Sequence, residues 1–331
     1  MTGRVVVLLR QVRRLEDEAE ISRRLAGFDE RGPERLRVYR FVEAETPNFA
    51  VATLCRVCRV SRSAYYAWLA KGEGPDQAVV DEADLADRIF TIWRATRGRY
   101  GAPRVTAVLW REDELVDEKK VARLMAELGI AGISGRERQR PKTTKRDPSR
   151  QPAPDLVERQ FTAAAPDDLW CGDITYIPTG EGWLYLASVL DVFSRRLLGW
   201  SMADHMRTEL CLDALQAASL TRGRVRFDGT IFHSDHGCQY TSDQFGEVCR
   251  AMGIVQSMGT VGDSYDNAMA ESLWASLKRE LVDCTYFSTK KEARIAIFEW
   301  IVWYNTQRLH SSLGQAPPEE FEESWYGQAA A

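Results

Sequence analysis

Three acids stand where an acid needs a reason. Asp173 is the lone charge in Leu169-Trp-Cys-Gly-Asp-Ile-Thr-Tyr-Ile177, and a carboxylate in so apolar a run is costly to bury without a partner. Asp235 follows the short run Thr230-Ile-Phe-His233, inside His233-Ser-Asp-His-Gly-Cys-Gln-Tyr240. Glu271 stands early in a helical stretch, after Gly262-Asp-Ser-Tyr-Asp-Asn267. Singly, each has a plain reading: a structural hydrogen-bonder, a turn cap and a surface charge. Jointly, three hard oxygen donors suit Mg²⁺ or Mn²⁺ better than zinc. Two such ions, roughly 4 Å apart, would activate an attacking oxygen and stabilise the leaving oxygen of a phosphodiester.

Lesser residues surround this set. Lys278 is two helical turns beyond Glu271 and on the same face, where it could hold a DNA phosphate or be one more surface lysine. His233 and His236 flank Asp235 and either touch a phosphate or shape the strand end. Asn267, one turn before Glu271, orients that acid, unless the loop serves only to cap the helix through Asp266. Asp191, at the end of a strand, reads as structural, and Trp183, Trp200, Trp274, Trp300 and Trp303 read as core groups rather than DNA-stacking ones.

The elements that must position these acids follow from the pattern of apolar residues. Strands are expected at 169–177, 183–193, 195–202, 230–233 and 254–257, and helices near 207–220, 242–252, 267–282 and 288–306. Consecutive strands followed by alternating helix and strand indicate an α/β layer with a mixed sheet. Ligand sites in such sheets favour strand ends, where Asp235 falls.

Upstream the pattern is helical. Residues 1–40 are rich in Arg and Glu, and Leu8, Val12, Leu15 and Ala19 have a heptad-like spacing that fades within about two heptads, short of a coiled coil, so no fixed structure is expected. Residues 41–75 suggest two short helices around a tight turn, the second N-capped by Ser61 and carrying Arg62; this helix-turn-helix could enter a major groove. Residues 80–133 form a second helical module with a basic loop that brings Arg99 and Arg104, closed by Gly129. A basic, proline-punctuated linker at 134–160 separates it from the core at 161–325. Between Ser134 and Arg150 it carries seven Lys or Arg, among them Lys142, Lys145 and Arg146, against two acids. Such a segment can neutralise phosphates although the whole chain has a net charge of −4.

No apolar run approaches the roughly 20 residues of a membrane helix, and no leader is recognised, so a cytoplasmic protein without a membrane partner is expected. Seven scattered cysteines argue for reduced thiols. Cys55 and Cys58 alone have metal-like spacing, but no second pair follows, and they read as a buried helix face.

The segments Asp173-Ile-Thr-Tyr-Ile-Pro-Thr179, His233-Ser-Asp-His-Gly-Cys-Gln-Tyr240, Asp266-Asn-Ala-Met-Ala-Glu-Ser272 and Leu277-Lys-Arg-Glu280 closely resemble bacterial insertion-sequence transposases that share the retroviral integrase core. Thirty-five residues separate Asp235 from Glu271, the spacing characteristic of that family. Tyr304-Asn-Thr-Gln-Arg-Leu-His-Ser-Ser-Leu313 and Pro318-Glu-Glu-Phe321 resemble its C-terminal signature, and Ser61 to Leu69 and Tyr100-Gly-Ala-Pro-Arg104 its upstream DNA-binding segments. The resemblance implies a ribonuclease H-like core, a mixed five-stranded sheet flanked by helices, with the first and fourth strands adjacent. It also implies Mg²⁺-dependent cleavage and strand transfer at element ends, with Asp173, Asp235 and Glu271 as catalytic metal ligands for two ions. The implied partners are terminal inverted repeats, target DNA and further copies of the chain. Residues 1–38 do not resemble the upstream-frame module of the family, so either a second-frame product partnered by the upstream-frame product or a product begun at an alternative start is expected. The rival reading is a regulator that binds element ends without cutting.

Overall fold

The computed structural model describes residues 2–28, 34–71, 77–133, 153–157, 160–259 and 268–329. The chain divides into two compact units, Met1–Ile133 and Ser134–Ala331.

The first unit is helical. α1 (Thr2–Gly27) and α2 (Glu34–Glu45) occupy the segment for which no fixed structure was expected. The heptad-like pattern misleads there because Val12 and Leu15 remain exposed, while among the described side chains of α1 Ile21 is buried, with Leu25 packed against the same core. Good helix formers propagate the rest, and Arg24 ties α1 to Glu45 at 2.8 Å. α3 (Val51–Val57) and α4 (Arg62–Lys71) form the expected pair around a tight turn. Ser61 Oγ accepts from the Ala64 amide at 3.1 Å, as an N-cap should. Cys55 and Cys58 lie in a core with Tyr39, Leu54, Tyr65 and Trp68. Burial pushes their thiols up to about 11 and about 12, so both remain protonated.

α5 (Gln77–Ala95), α6 (Ala102–Arg111) and α7 (Glu118–Glu127) complete this unit. Asp117 caps α7 by accepting from the Lys119 amide at 2.7 Å. Gly129 has the left-handed φ of +67° that a helix-ending glycine supplies.

The second unit is built on five strands: β1 (Leu169–Thr179), β2 (Gly182–Asp191), β3 (Leu197–Ala203), β4 (Ile231–Ser234) and β5 (Val255–Met258). Their order is β3-β2-β1-β4-β5. The first three are antiparallel neighbours, whereas β4 runs parallel to both β1 and β5. β3 begins two residues later than the sequence pattern suggests. Asp191 takes the Ser194 amide at 2.7 Å and its own amide donates to Arg196, which turns the chain there.

α8 (Thr208–Arg222) and α9 (Asp243–Ala251) pack on one face of the sheet around Trp170, Phe232 and Phe245. α10 (Ala268–Glu280) and α11 (Lys290–Thr306) cover the other around Leu186, Trp274 and Trp300. α12 (Pro318–Ala329) ends the unit and is held by ion pairs to the turn before β3, through Arg196 with Glu319 and Glu322, and to the end of α8, through Arg222 with Glu322. Gly172 is required where β1 passes β4, because a Cβ there would lie 2.2 Å from the Phe232 ring. Among the described residues, no helix is long and apolar enough to cross a membrane.

Candidate active site

The parallel pairing of Cys171 with His233 fixes the geometry of the site. Asp173 is two residues beyond this pair on β1, and Asp235 two residues beyond it, just past the end of β4. Two acids more than sixty positions apart in the chain are thereby brought together where β4 ends against the middle of β1.

Each carboxylate is held. Asp173 Oδ1 accepts from the Ile174 amide at 2.7 Å, and its Oδ2 accepts from the Trp274 indole nitrogen at 3.0 Å. Asp235 Oδ1 accepts from the Gly237 amide at 3.0 Å. Burial pushes the Asp173 carboxyl up to about 7, and the negative charges of Asp235 and, more weakly, Glu271 add to the rise. The two hydrogen bonds pull the other way and are outweighed. Like charges in one pocket favour a cation there, which is the physical fit of this donor set to a hard divalent ion.

Glu271, on the first turn of α10, faces solvent. It is within the electrostatic neighbourhood of Asp173, yet among the described residues no three His, Cys, Asp or Glu side chains are gathered closely enough to enclose a metal. The structure thus joins Asp173 and Asp235 and leaves Glu271 alongside them. Asn267 lies outside the described residues, as do Lys142, Lys145 and Arg146.

The flanking histidines differ. His233 is buried, with Nδ1 2.9 Å from Ser257 Oγ and its ring edge-on to Phe161, so it shapes the strand end. His236 is half-buried, and its Nδ1 has no hydrogen-bond partner among the described residues. Lys278 leans over the Tyr176 ring, its Nζ 5.1 Å from the centroid. Asp191 is fully buried, accepting from the Asp167 amide at 2.8 Å and from Ser194, which gives it an architectural place away from the carboxylate pair. In the first unit Arg62 is exposed and Arg104 sits over the Tyr100 ring at 5.5 Å. Arg99 is only 8% exposed and offers little surface to a phosphate.

Sequence reasoning passed over several residues here. Trp274 was read as core and is indeed buried, but its N–H also orients Asp173; its three-residue spacing from Glu271 on one helix was the available signal. At the other end of α10, Arg308 donates to Glu280 at 2.7 Å and to Ser276 at 3.3 Å, and the Trp300 indole donates to Glu280 at 3.2 Å. No local pattern announces this cluster, because its members come from α10, α11 and the loop after α11. Trp183, also read as core, is half exposed.

A β3-β2-β1-β4-β5 sheet with acids at the seam between its first and fourth strands defines a ribonuclease H-like polynucleotidyl transferase core. Comparison with known proteins agrees. The integrase core domain family matches residues 163–264, and a second family of that description matches residues 252–318. An HTH-like domain matches residues 80–138.

The transposase for insertion sequence element IS904 of Lactococcus lactis is 40% identical over 250 residues, which is 75% of this chain and 97% of that protein. The transposase for IS629 of Shigella sonnei is 36% identical over 84% of this chain and 93% of its own length. Transposase InsF for IS3A of Escherichia coli is 34% identical, covering 86% and 98%. Among solved structures, the catalytic core domain of HTLV-2 integrase in complex with magnesium covers 49% of this chain and 99% of its own, at 18% identity and a TM-score of 0.39. A chain of the simian T-cell lymphotropic virus intasome covers 70% and 73%, at 15% identity and a TM-score of 0.41. The chain belongs to the insertion-sequence transposases with an integrase-type core.

Proposed function

We propose that this transposase cuts and joins DNA at the ends of its element through Asp173, Asp235 and Glu271. The observation that carries this reading is the meeting of Asp173 and Asp235 at the β1–β4 seam, where crowding and burial push Asp173 up to about 7. A divalent cation, Mg²⁺ with Mn²⁺ able to substitute and two ions in the active complex, supplies neutralisation of phosphate charge and activation of the attacking oxygen. Asp173 and Asp235 would hold it, with Glu271 completing the set from the first turn of α10.

The chain's own groups do the positioning that phosphoryl transfer chiefly requires. Trp274 and the Ile174 amide fix the orientation of the Asp173 carboxylate, and the Gly237 amide that of Asp235. Lys278, on the same helix as Glu271, neutralises a nearby DNA phosphate. Water attacks a phosphodiester at the element end and loses a proton to solvent; the P–O bond to the 3′ oxygen breaks, and that oxygen takes up a proton from solvent to leave a 3′-hydroxyl and a 5′-phosphate. That hydroxyl then attacks a target phosphodiester, forming one P–O bond as another breaks. No covalent protein–DNA intermediate is involved.

Arg62 and Arg104 of the helical unit, together with Lys142, Lys145 and Arg146 of the linker, contact terminal repeats and target by phosphate neutralisation. Arg99 contributes packing. The active form is a homo-oligomer on DNA in the cytoplasm, with the upstream-frame product of the same element as a further partner.

Asp235→Asn tests the reading. The variant is expected to bind terminal-repeat DNA with unchanged affinity and to lose cleavage and strand joining by at least about a thousandfold in Mg²⁺ or Mn²⁺. Unaltered protein that binds the repeats but cuts under neither metal would support a regulator. Nicked product never joined to target would support a simple nuclease.

A further inference from the structure

One end of β1 carries a surface that the acids do not account for. β4 pairs with β1 only from Leu169 to Cys171, whereas β1 continues past Asp173 to Thr179. On this overhanging part, Tyr176 and Trp183 meet across the β1–β2 hairpin, their rings 4.9 Å apart and nearly perpendicular at 87°. The Lys278 ammonium stands 5.1 Å from the centre of the Tyr176 ring. Trp183 itself is 50% exposed. Lys278 is one helical turn from Trp274, whose indole donates to Asp173. Lys278 thus links α10, the helix that carries Glu271 and the buried Trp274, to an aromatic pair whose outer ring is open to solvent.

Chemistry narrows what such a surface takes. A half-exposed indole, supported edge-on by a second ring, offers an accessible π-face whose orientation the second ring restrains. A cation over the supporting Tyr176 ring favours an anionic ligand, in a unit whose nearby acids otherwise repel one. Nucleotides combine an anionic backbone with a stackable base. A base inside a duplex has both faces covered, so only an unpaired or extruded one presents a face to an indole. The acid nearest in sequence, Glu181, is turned to the α11 start, where its carboxylate accepts from the Lys290 amide at 2.8 Å.

We infer that Trp183, supported by Tyr176 with the Lys278 ammonium over that second ring, is a stacking platform for an unpaired nucleotide at the DNA end entering the carboxylate site. This deepens the DNA-cutting reading and rests on it. The platform holds the frayed end so that the scissile phosphodiester lies over Asp173 and Asp235, and it discriminates between open and blunt ends.

The test uses the full chain carrying Asp235→Asn, without divalent metal. The probe is a 20-base-pair duplex with a two-nucleotide 3′ overhang containing 2-aminopurine, compared with its blunt counterpart. Quenching of 2-aminopurine is expected on binding. Trp183→Leu, which keeps apolar bulk but removes the π-face, should abolish the quenching and weaken overhang binding by about 5- to 150-fold, with blunt binding unchanged. Trp183→Phe should retain both within about threefold. Unchanged quenching in Trp183→Leu, or equal weakening on blunt and overhang probes with an unchanged Tm, would overturn the platform. Failure of unaltered protein to join its own element's ends would instead sink the transposase reading while leaving the quenching result intact.

Discussion

The indole nitrogen of Trp274 donates to the Asp173 carboxylate at 3.0 Å, linking the helix that carries Glu271 directly to the central strand of the sheet. The bond favours the ionised carboxylate and so opposes the upward push of burial on Asp173. Trp274→Phe removes the donor and keeps most of the packing. Hydrogen bonds to charged groups contribute about 1.5–3 kcal/mol, so Asp173 should rise by about one pH unit or more. Cleavage in the variant should fall about tenfold at pH 7 and recover towards pH 9. A pH–rate profile checks this, and a loss equal at every pH would mean that the bond does not tune Asp173.

Asp173 also makes stability depend on pH with a definite sign. Its folded value of about 7 lies above the ordinary 3.8, so without a cation the folded state binds this proton more tightly than the unfolded chain does. Its contribution is fully favourable below about pH 4 and is lost as pH rises through 7. Asp173→Asn escapes that loss and should melt a few degrees above the unaltered protein at pH 8 in EDTA, the gap closing by pH 4. Adding Mg²⁺ at pH 8 should stabilise the unaltered protein and not the variant. Thermal melts across pH test both statements, and a gap that widens on acidification would contradict the assignment.

Arg308 and Glu280, both nearly buried, form a charge pair at the far end of α10 from Glu271. Arg308→Ala strands the Glu280 carboxylate and should destabilise the fold by about 3–5 kcal/mol. The double variant Arg308→Met with Glu280→Leu should recover most of that loss, because apolar packing replaces an ion pair without the desolvation cost. Urea unfolding measures the difference. A double variant no more stable than Arg308→Ala would show that the pair is not the source of the effect.

Gly199 allows α8 to lie directly on β3. A Cβ at this position would meet the Ala214 carbonyl oxygen at 2.1 Å and the Ala218 amide at 2.4 Å, both backbone atoms that cannot rotate away. Gly199→Ala should cost about 1–3 kcal/mol through displaced packing, lowering the melting temperature without altering binding of the helical unit to DNA. A melt within a degree of the unaltered protein would show that α8 shifts freely.

Much of the local structure was legible in the chain. Short apolar runs bounded by turn residues placed all five strands near their observed bounds, and Ser61 and Gly129 marked a helix start and a helix end through backbone chemistry that acts over a few residues. The N-terminal helix α1 escaped because its apolar spacing pointed to Val12 and Leu15, which face solvent, and not to Ile21. Trp183 misled in the opposite way: a large indole in a strand pattern reads as core, and only its place at the hairpin end leaves it half exposed.

What the residues determined by themselves was the supply of chemistry: three acids in unusual settings, thirty-five positions between the last two, and elements able to present them. Tertiary structure alone decided which of them meet. β4 aligns with β1 through contacts between segments about sixty residues apart, and that register puts Asp235 beside Asp173. Periodicity records which face of an element is apolar. Which distant face covers it is set by packing across the whole sheet, and that packing delivers Trp274 to Asp173 and leaves Trp183 open to water.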